Sequence, residues 1–385
     1  MKIAFLVSHT PNPRIYKRMN LAKEEFQEVF VIYWQRSFDY YKTFMNDNEI
    51  VKHQVIDSIE NPYSLSIYQR IKMVASFTRK SFKIFRIERP VIIHAEHLDM
   101  LFVAYLYKLI HDSNVKIVYE VADLHQILYG DSRRMKHRIT RFLFRSIEKL
   151  LCKKVDRLIV TSPFFWDDYF KGFFPKNNTI YMANAPERSI FESKKIESKF
   201  DKKLTIGFIG AVRYFDQLRI LIDAIKGIDA VDVFIAGDGK DYEAIKEYVQ
   251  DIEQVVLYGS YDYDKEIAKL YERIDVVYSV YDIKSKNVRV ALPNRLYEAI
   301  VTERPIIVAK GTRLADVVIE LGVGFAVDSQ DKNELKVLLE NLVADESLLQ
   351  ECRENCRHIK DEYFADRFND QLKETYASLI SEYQK

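Results

Sequence analysis

Three cysteines in 385 residues, Cys152, Cys352 and Cys356, are too few and too irregularly spaced for a disulfide framework or a zinc site. They suit a reducing compartment, and Cys352 and Cys356 read as two ordinary thiols that can share a helix face. Long apolar runs are missing as well: none approaches the roughly 18 uncharged residues of a membrane-spanning helix. The opening MKIAFLVSHTPNPR has an apolar run too brief for a signal peptide, so residues 2–8 read as a buried strand and the chain as cytoplasmic. Neither a repeat of about 20 to 50 residues nor a low-complexity tract is visible, which excludes a solenoid.

Apolar material is nonetheless plentiful, with 48% hydrophobic, 13% aromatic and 30% charged residues. A chain of this length exceeds what one hydrophobic core usually serves, so two domains are expected. The net charge of +1 conceals a division. Residues 1–190 carry 30 Lys and Arg against 20 Asp and Glu, and the remainder 28 against 37. The first half therefore faces something anionic.

Short apolar runs alternate with helical patterns, the rhythm of a doubly wound parallel sheet. KIAFLVS, VFVIYW, VIIHA, KIVYEV, RLIVTS and TIYMAN give six strands; LTIGFIG, VDVFIAG, VVLYG, VVYSV, PIIVA and GFAV give six more. Segments 212–228 and 240–250 have helical spacing, and 333–385 reads as helices. The predicted organisation is a first Rossmann-like domain at 1–185, a polar linker at 186–203, a second such domain at 204–360, and a C-terminal helix at 361–385.

Three segments of the second half carry candidate chemistry. In 204–225 a strand ends at Gly210, turns through Arg213 and enters a helix; glycine, free helix N–H groups and a guanidinium together suit an anion. An ordinary βα turn with a solvated arginine fits the same residues. The AGDG that closes the strand of 233–245 fits plain turn formation by Gly237 and Gly239. In 289–312, Pro293 opens a helix with Asn294, Arg295 and Glu298: a carboxylate there can accept both ribose hydroxyls of a nucleotide, and Arg295 can hold its phosphates. On physical grounds alone, a capped surface helix with solvated charges also accounts for it. The turn at 204–225 is not GxGxxG, so it gives no support to a dinucleotide dehydrogenase.

Taken in order, these segments resemble family four glycosyltransferases of the GT-B fold. That family has a GxxR-like turn, a strand ending in GDG and a PNKLYEA-like block before a PIIV strand; this chain has PNRLYEAIVTERPIIVA, close to bacterial capsule and exopolysaccharide enzymes. NPRIYKRMNLAKE, YEVADLH and IEKLLCKKVDRLIVTSPFFWDDY resemble the corresponding first-half segments, and NAPE the asparagine-proline linker. The resemblance implies two Rossmann-like domains facing across a cleft, with the final helix at 361–385 crossing back onto the first domain, and a retaining transfer from a nucleotide-diphosphate-sugar, with Gly210, Arg213, Asn294, Arg295 and Glu298 on the donor and Asp123, Arg213 and Arg295 in catalysis. It implies no cofactor and no metal, since arginines carry the diphosphate, and an acceptor that is a saccharide or lipid-linked saccharide of envelope polysaccharide synthesis. Three departures stand out: the first glutamate of E-x7-E is Val290, the loop histidine is Ala122 with His125 nearby, and no lysine follows the arginine near Asp216 and Gln217. A non-catalytic partner subunit of the same fold and a nucleotide-sugar epimerase are the alternatives.

Two basic tracts remain. Residues 70–89 hold seven basic residues and one acidic, and 133–154 nine and one, the latter interleaved with Phe142, Leu143 and Phe144. Either alone suits a core-packing helix with a solvated basic face. Together, in the half expected to bind acceptor, they point to the anionic inner face of the plasma membrane. No aromatic-rich sheet or recognition-helix motif accompanies the charge, so nucleic acid is not expected.

Overall fold

The structure is a computed structural model that describes residues 1–34, 51–55, 67–125, 135–191 and 203–385, with backbone alone for 51–55, 67, 70 and 71. Residues 192–202 of the expected linker and Arg133 and Arg134 of the second basic tract lie outside the described residues. The chain forms two compact units: Met1–Met182 with Phe368–Lys385, and Ala183–Arg367.

Unit 1 is built on a seven-stranded sheet of order β3-β2-β1-β4-β5-β6-β7. The strands are β1 (Lys2–Val7), β2 (Glu28–Trp34), β3 (Val51–Val55), β4 (Ile92–Glu96), β5 (Lys116–Val121), β6 (Arg157–Val160) and β7 (Thr179–Tyr181), all paired in parallel. Helices α1 (Pro13–Glu25), α2 (Ile67–Glu88), α3 (His97–Ile110) and α4 (Met135–Cys152) connect them. Ile3 to Val7 are wholly buried at the centre, as expected of a parallel strand covered on both faces. Helix α1 starts where Asn12 accepts a hydrogen bond from Ile15 N at 3.0 Å, with Pro13 in the first helical position that lacks an N–H partner anyway.

Unit 2 repeats the plan with six parallel strands in the order β10-β9-β8-β11-β12-β13. They are β8 (Leu204–Ile209), β9 (Val231–Ala236), β10 (Val255–Gly259), β11 (Val276–Ser279), β12 (Ile306–Ala309) and β13 (Gly324–Val327). Between and after them run α5 (Phe215–Ile225), α6 (Tyr242–Val249), α7 (Tyr263–Glu272), α8 (Asn294–Val301), α9 (Arg313–Glu320), α10 (Lys332–Ala344) and α11 (Ser347–Ile359). Leu218, Leu221, Ile222 and Ile225 of α5 and Leu335, Leu339 and Leu342 of α10 pack on this sheet in one core.

The last helix, α12 (Asp366–Gln384), lies almost wholly in unit 1. It buries Phe368, Leu372, Thr375, Tyr376 and Leu379, the i, i+4, i+7 spacing of a one-sided apolar stripe. Tyr376 is hydrogen-bonded through its hydroxyl to His94 Nδ1 at 2.8 Å, and Glu382 pairs with Arg157 at 2.6 Å.

In each sheet the strand order reverses beside the first strand, between β1 and β4 and between β8 and β11. In open α/β sheets the crevice outside the carboxyl ends of the strands at such a point is where ligands bind.

Candidate functional site

At the carboxyl edge of the second sheet three glycines bring two loops into contact. Gly210 closes β8 with φ +129°, where a Cβ would meet Arg295 Nη2 at 2.7 Å. Gly237 closes β9 with φ +125°, where a Cβ would stand 2.0 Å from the Gly210 carbonyl oxygen; at Gly239 it would stand 2.4 Å from Val212 O. The loops are then sewn together by Val212 N donating to Asp238 O (3.0 Å) and Asp241 N to Val212 O (3.1 Å). Plain turn formation understates Gly237 and Gly239: their hydrogens are what let the loops touch.

Arg295 rises from the first turn of α8 into this contact and is only 7% exposed. Its guanidinium lies 3.7 Å from the Phe208 ring centroid, donates through Nε to the Ile209 carbonyl and through Nη1 to Tyr281 Oη at 2.6 Å. Two of its N–H groups are thus spent on the end of β8 and the loop after β11, with Nη2 aimed at Gly210. Arg213 sits exposed in the loop after β8, and Asn294 is exposed at the start of α8. Helix α5 follows that loop, and its first N–H, from Phe215, donates to Asp241 Oδ2 at 3.2 Å.

Glu298 stands one turn beyond Arg295 and is 4% exposed. Tyr263 donates its hydroxyl to Oε1 and Tyr271 to Oε2, each at 2.8 Å. Burial first, and then this carboxylate, push both phenols well above the usual tyrosine range, so they stay protonated donors. Tyr261 is raised in the same way. These tyrosines escape a sequence reading because 25 are scattered along the chain and no spacing marks those that converge.

Among the predicted site residues, the structure brings Gly210 and Arg295 into contact, sets Glu298 beneath them on the same helix, and leaves Arg213 and Asn294 on the surface of the same unit. Asp123 belongs to unit 1, exposed just after β5. Val290, where the resemblance expected a glutamate, is buried.

The carboxyl edge of the first sheet carries a cluster that the motifs do not single out. Glu96 ends β4 and Glu120 lies in β5, both fully buried. Arg14 of α1 is ion-paired with both, at 3.2 Å to Glu120, and Arg18 adds a 3.6 Å contact to Glu120. His9 Nε2 lies 3.3 Å and His97 Nε2 3.7 Å from Glu96, while His94 Nε2 meets Glu120 at 2.9 Å. Since Glu120 can only accept, Nε2 of His94 carries a proton, and in a neutral ring Nδ1 then accepts from the Tyr376 hydroxyl. Burial works against the charge on Glu120, but Arg18, the His94 hydrogen bond and Arg14 hold its carboxyl well below the usual range. Glu96 is likewise depressed: burial opposes, and His9, Arg14 and His97 prevail. The signal in the sequence is the pair of acidic residues set inside the buried strand runs VIIHAEH and KIVYEV. His97 also has φ +71°, a left-handed backbone uncommon for a side chain of its size.

Fold and geometry define the class: two Rossmann-like domains in one chain, the GT-B type, each with polar and charged side chains at its switch point. Residues 189–359 match the family described as glycosyl transferases group 1, and the second unit is therefore a group 1 glycosyl transferase domain. The chain is 24% identical over 265 residues to the succinoglycan biosynthesis protein ExoL of Rhizobium meliloti, and 22% over 258 residues to the uncharacterized glycosyltransferase MJ1069 of Methanocaldococcus jannaschii. These alignments cover 66% and 64% of this chain, and the chain spans 64% of the length of each of these curated relatives. Anabaena HepE, solved in complex with UDP-glucose, superposes with a TM-score of 0.71 at 17% identity, over 98% of this chain and 100% of that one. At that identity the likeness concerns the fold.

Proposed function

We propose that this protein is a retaining glycosyltransferase that moves a sugar from a nucleoside-diphosphate-sugar to a saccharide or lipid-linked saccharide in envelope polysaccharide synthesis. The observation that carries the reading is the Gly210–Arg295 contact at the switch point of the group 1 domain. It sets a guanidinium and glycine backbone together where a diphosphate would lie. In this reading Gly210, Arg213, Asn294, Arg295 and Glu298 hold the donor. Arg213 and Arg295 stabilise the departing diphosphate, taking the part a divalent ion plays elsewhere, so no metal and no further cofactor is called for. The departing phosphate oxygen then helps to deprotonate the acceptor hydroxyl on the same face, which gives retention. Unit 1 in this reading binds the acceptor, and Asp123 has the catalytic part that the family resemblance implies. UDP-glucose bound to HepE and the succinoglycan role in ExoL's name support the donor and product classes.

The test is a titration with nucleoside diphosphates followed by a transfer assay, reading the anomeric configuration of the product by NMR. Arg213→Ala is expected to lower turnover while leaving affinity for the bare nucleoside intact. Equal loss of nucleoside and nucleoside-diphosphate binding, or an inverted product, would sink this mechanism. Val290 in place of the family glutamate favours a second reading, a non-catalytic partner subunit, which predicts nucleotide binding without donor turnover.

A further inference from the structure

Unit 1 contains a cavity of about 530 Å³, within the range of about 300 to 1,000 Å³ that small-molecule sites occupy. Its floor is apolar, formed by Val121 of β5 and Leu151 of α4, with the rings of Tyr119 and Tyr169. On the floor sits Glu148, whose two oxygens accept from the Tyr119 and Tyr169 hydroxyls and whose carboxyl is raised by burial; it is satisfied from within and calls for no cationic ligand. The flanks are Phe102 of α3 and Phe144 and Ile147 of α4, which remain 38%, 42% and 45% exposed although each is large and apolar. The cavity therefore opens to water along a greasy rim.

Most of its polar lining gathers where three strands of one sheet end. Ser8 follows β1, His97 and Asp99 follow β4, and Asp123 and His125 follow β5. That end is the switch point of the first sheet, the position where a ligand's polar part is held in α/β folds. Carboxylates accept from hydroxyls and imidazoles both donate and accept, so neutral hydroxyls suit this end, while an anionic head would meet Asp99 and Asp123 at close range.

We propose that this cavity binds an amphiphilic acceptor, its apolar chain lying between α3 and α4 and a neutral hydroxylated head standing at the His97–Asp123 end. The proposal deepens the glycosyltransferase reading and rests on it for the word acceptor; the binding itself does not depend on transfer. The probe is labelled decyl β-glucoside, kept below its micelle concentration and followed by equilibrium dialysis, with glucose as the chainless comparison. One saturable site is expected, and glucose should bind it at least about ten-fold more weakly, because burying the chain contributes more than the hydroxyl contacts do. Ile147→Glu and Phe102→Glu should each weaken the glucoside by about ten-fold or more by placing a charge on the apolar wall. Leu143→Glu and Leu150→Glu, exposed on the same helix but outside the cavity, should leave its affinity unchanged. Ile147 is nearly half exposed, so its carboxylate variant can fold with the charge in water; the melting temperature checks this. The proposal is overturned by absence of a saturable site, by glucose binding as tightly as the glucoside, or by Leu143→Glu losing as much as Ile147→Glu. UDP titration of the same preparations separates the two readings: nucleotide binding lost with glucoside binding kept sinks the transferase and spares the cavity.

Discussion

Glu298 places two demands on one carboxylate. It is buried among Tyr263 and Tyr271, each holding one oxygen at 2.8 Å, and the proposed ribose contact must use the lone pairs that remain. Glu298→Gln keeps the size but turns one acceptor into a donor facing a tyrosine hydroxyl. Nucleoside-diphosphate binding should weaken by about 1 to 3 kcal/mol, the range for losing a hydrogen bond to a charged group. Calorimetric titration checks it, and an unchanged dissociation constant would remove Glu298 from the site. Gly237 gives a sharper steric test. Gly311 has φ +74° with nothing within 4 Å of its Cβ position, so Gly311→Ala should cost only the strain of a left-handed backbone, about 1 to 2 kcal/mol. Gly237→Ala adds a carbon 2.0 Å from the Gly210 carbonyl oxygen and must cost clearly more in denaturant unfolding. Equal costs would mean that the two loops separate without penalty. The glycines are legible as turns, but a close approach between loops distant in sequence leaves no local mark.

Among elements, the strands are the most legible. All twelve apolar runs form strands, because a parallel strand covered on both faces is apolar at most positions. Strand β10, with Val256 and Tyr258 exposed, is covered least, and β4 and β5 admit His94, Glu96 and Glu120 because these pair with one another or with Arg14. Among the described residues one further strand, β3, reads VKHQV and escapes the pattern: it stands at the edge of the described sheet, paired there with β2, and an edge strand tolerates polar residues. Helix α12 is legible as a helix from its apolar spacing, whereas its bond to His94, 282 residues away, is not. That bond passes through His94 to Glu120, whose depressed carboxyl has a consequence for pH. A group with a lowered folded pKa adds stability that is present above its unfolded value, about 4.3 for a glutamate, and is lost as pH falls through the folded value. Melting temperature should therefore fall on acidification below about pH 4.3. Glu120→Gln should be less stable at neutral pH by about 3 to 5 kcal/mol, since it strands Arg18, but should lose less on acidification. Parallel acid profiles for the two proteins would show that Glu120 is not the group responsible.

For the molecule as a whole, the uneven charge matters most. The excess of basic residues in the first half coincides in α4 with an exposed apolar face of Met135, Ile139, Phe142, Leu143 and Leu150, flanked by Arg138, Arg145 and Lys149. No described helix is long and apolar enough to cross a membrane. We propose that this surface contacts an anionic leaflet: each basic side chain near such a surface would contribute about 1 kcal/mol, and salt would screen it. Co-sedimentation should show binding to anionic but not neutral vesicles, weaker at high salt and reduced by Phe142→Ser with Arg138→Gln. Binding indifferent to lipid charge would leave α4 as a solvated face. The charge division can be counted from the sequence; which face of α4 is apolar and uncovered requires the structure.

The return of α12 to unit 1 also orders the birth of the molecule. Unit 2 is interposed between two pieces of unit 1, so a growing chain has the whole of unit 2 once Arg367 is added, but lacks the residues that finish unit 1 until Tyr376 and Leu379 follow. At about 5 to 20 residues per second, the sheet begun first waits roughly 10 to 40 s on the ribosome, with His94 lacking its Tyr376 partner, while the later-born unit is made. The domain started first is the one completed last.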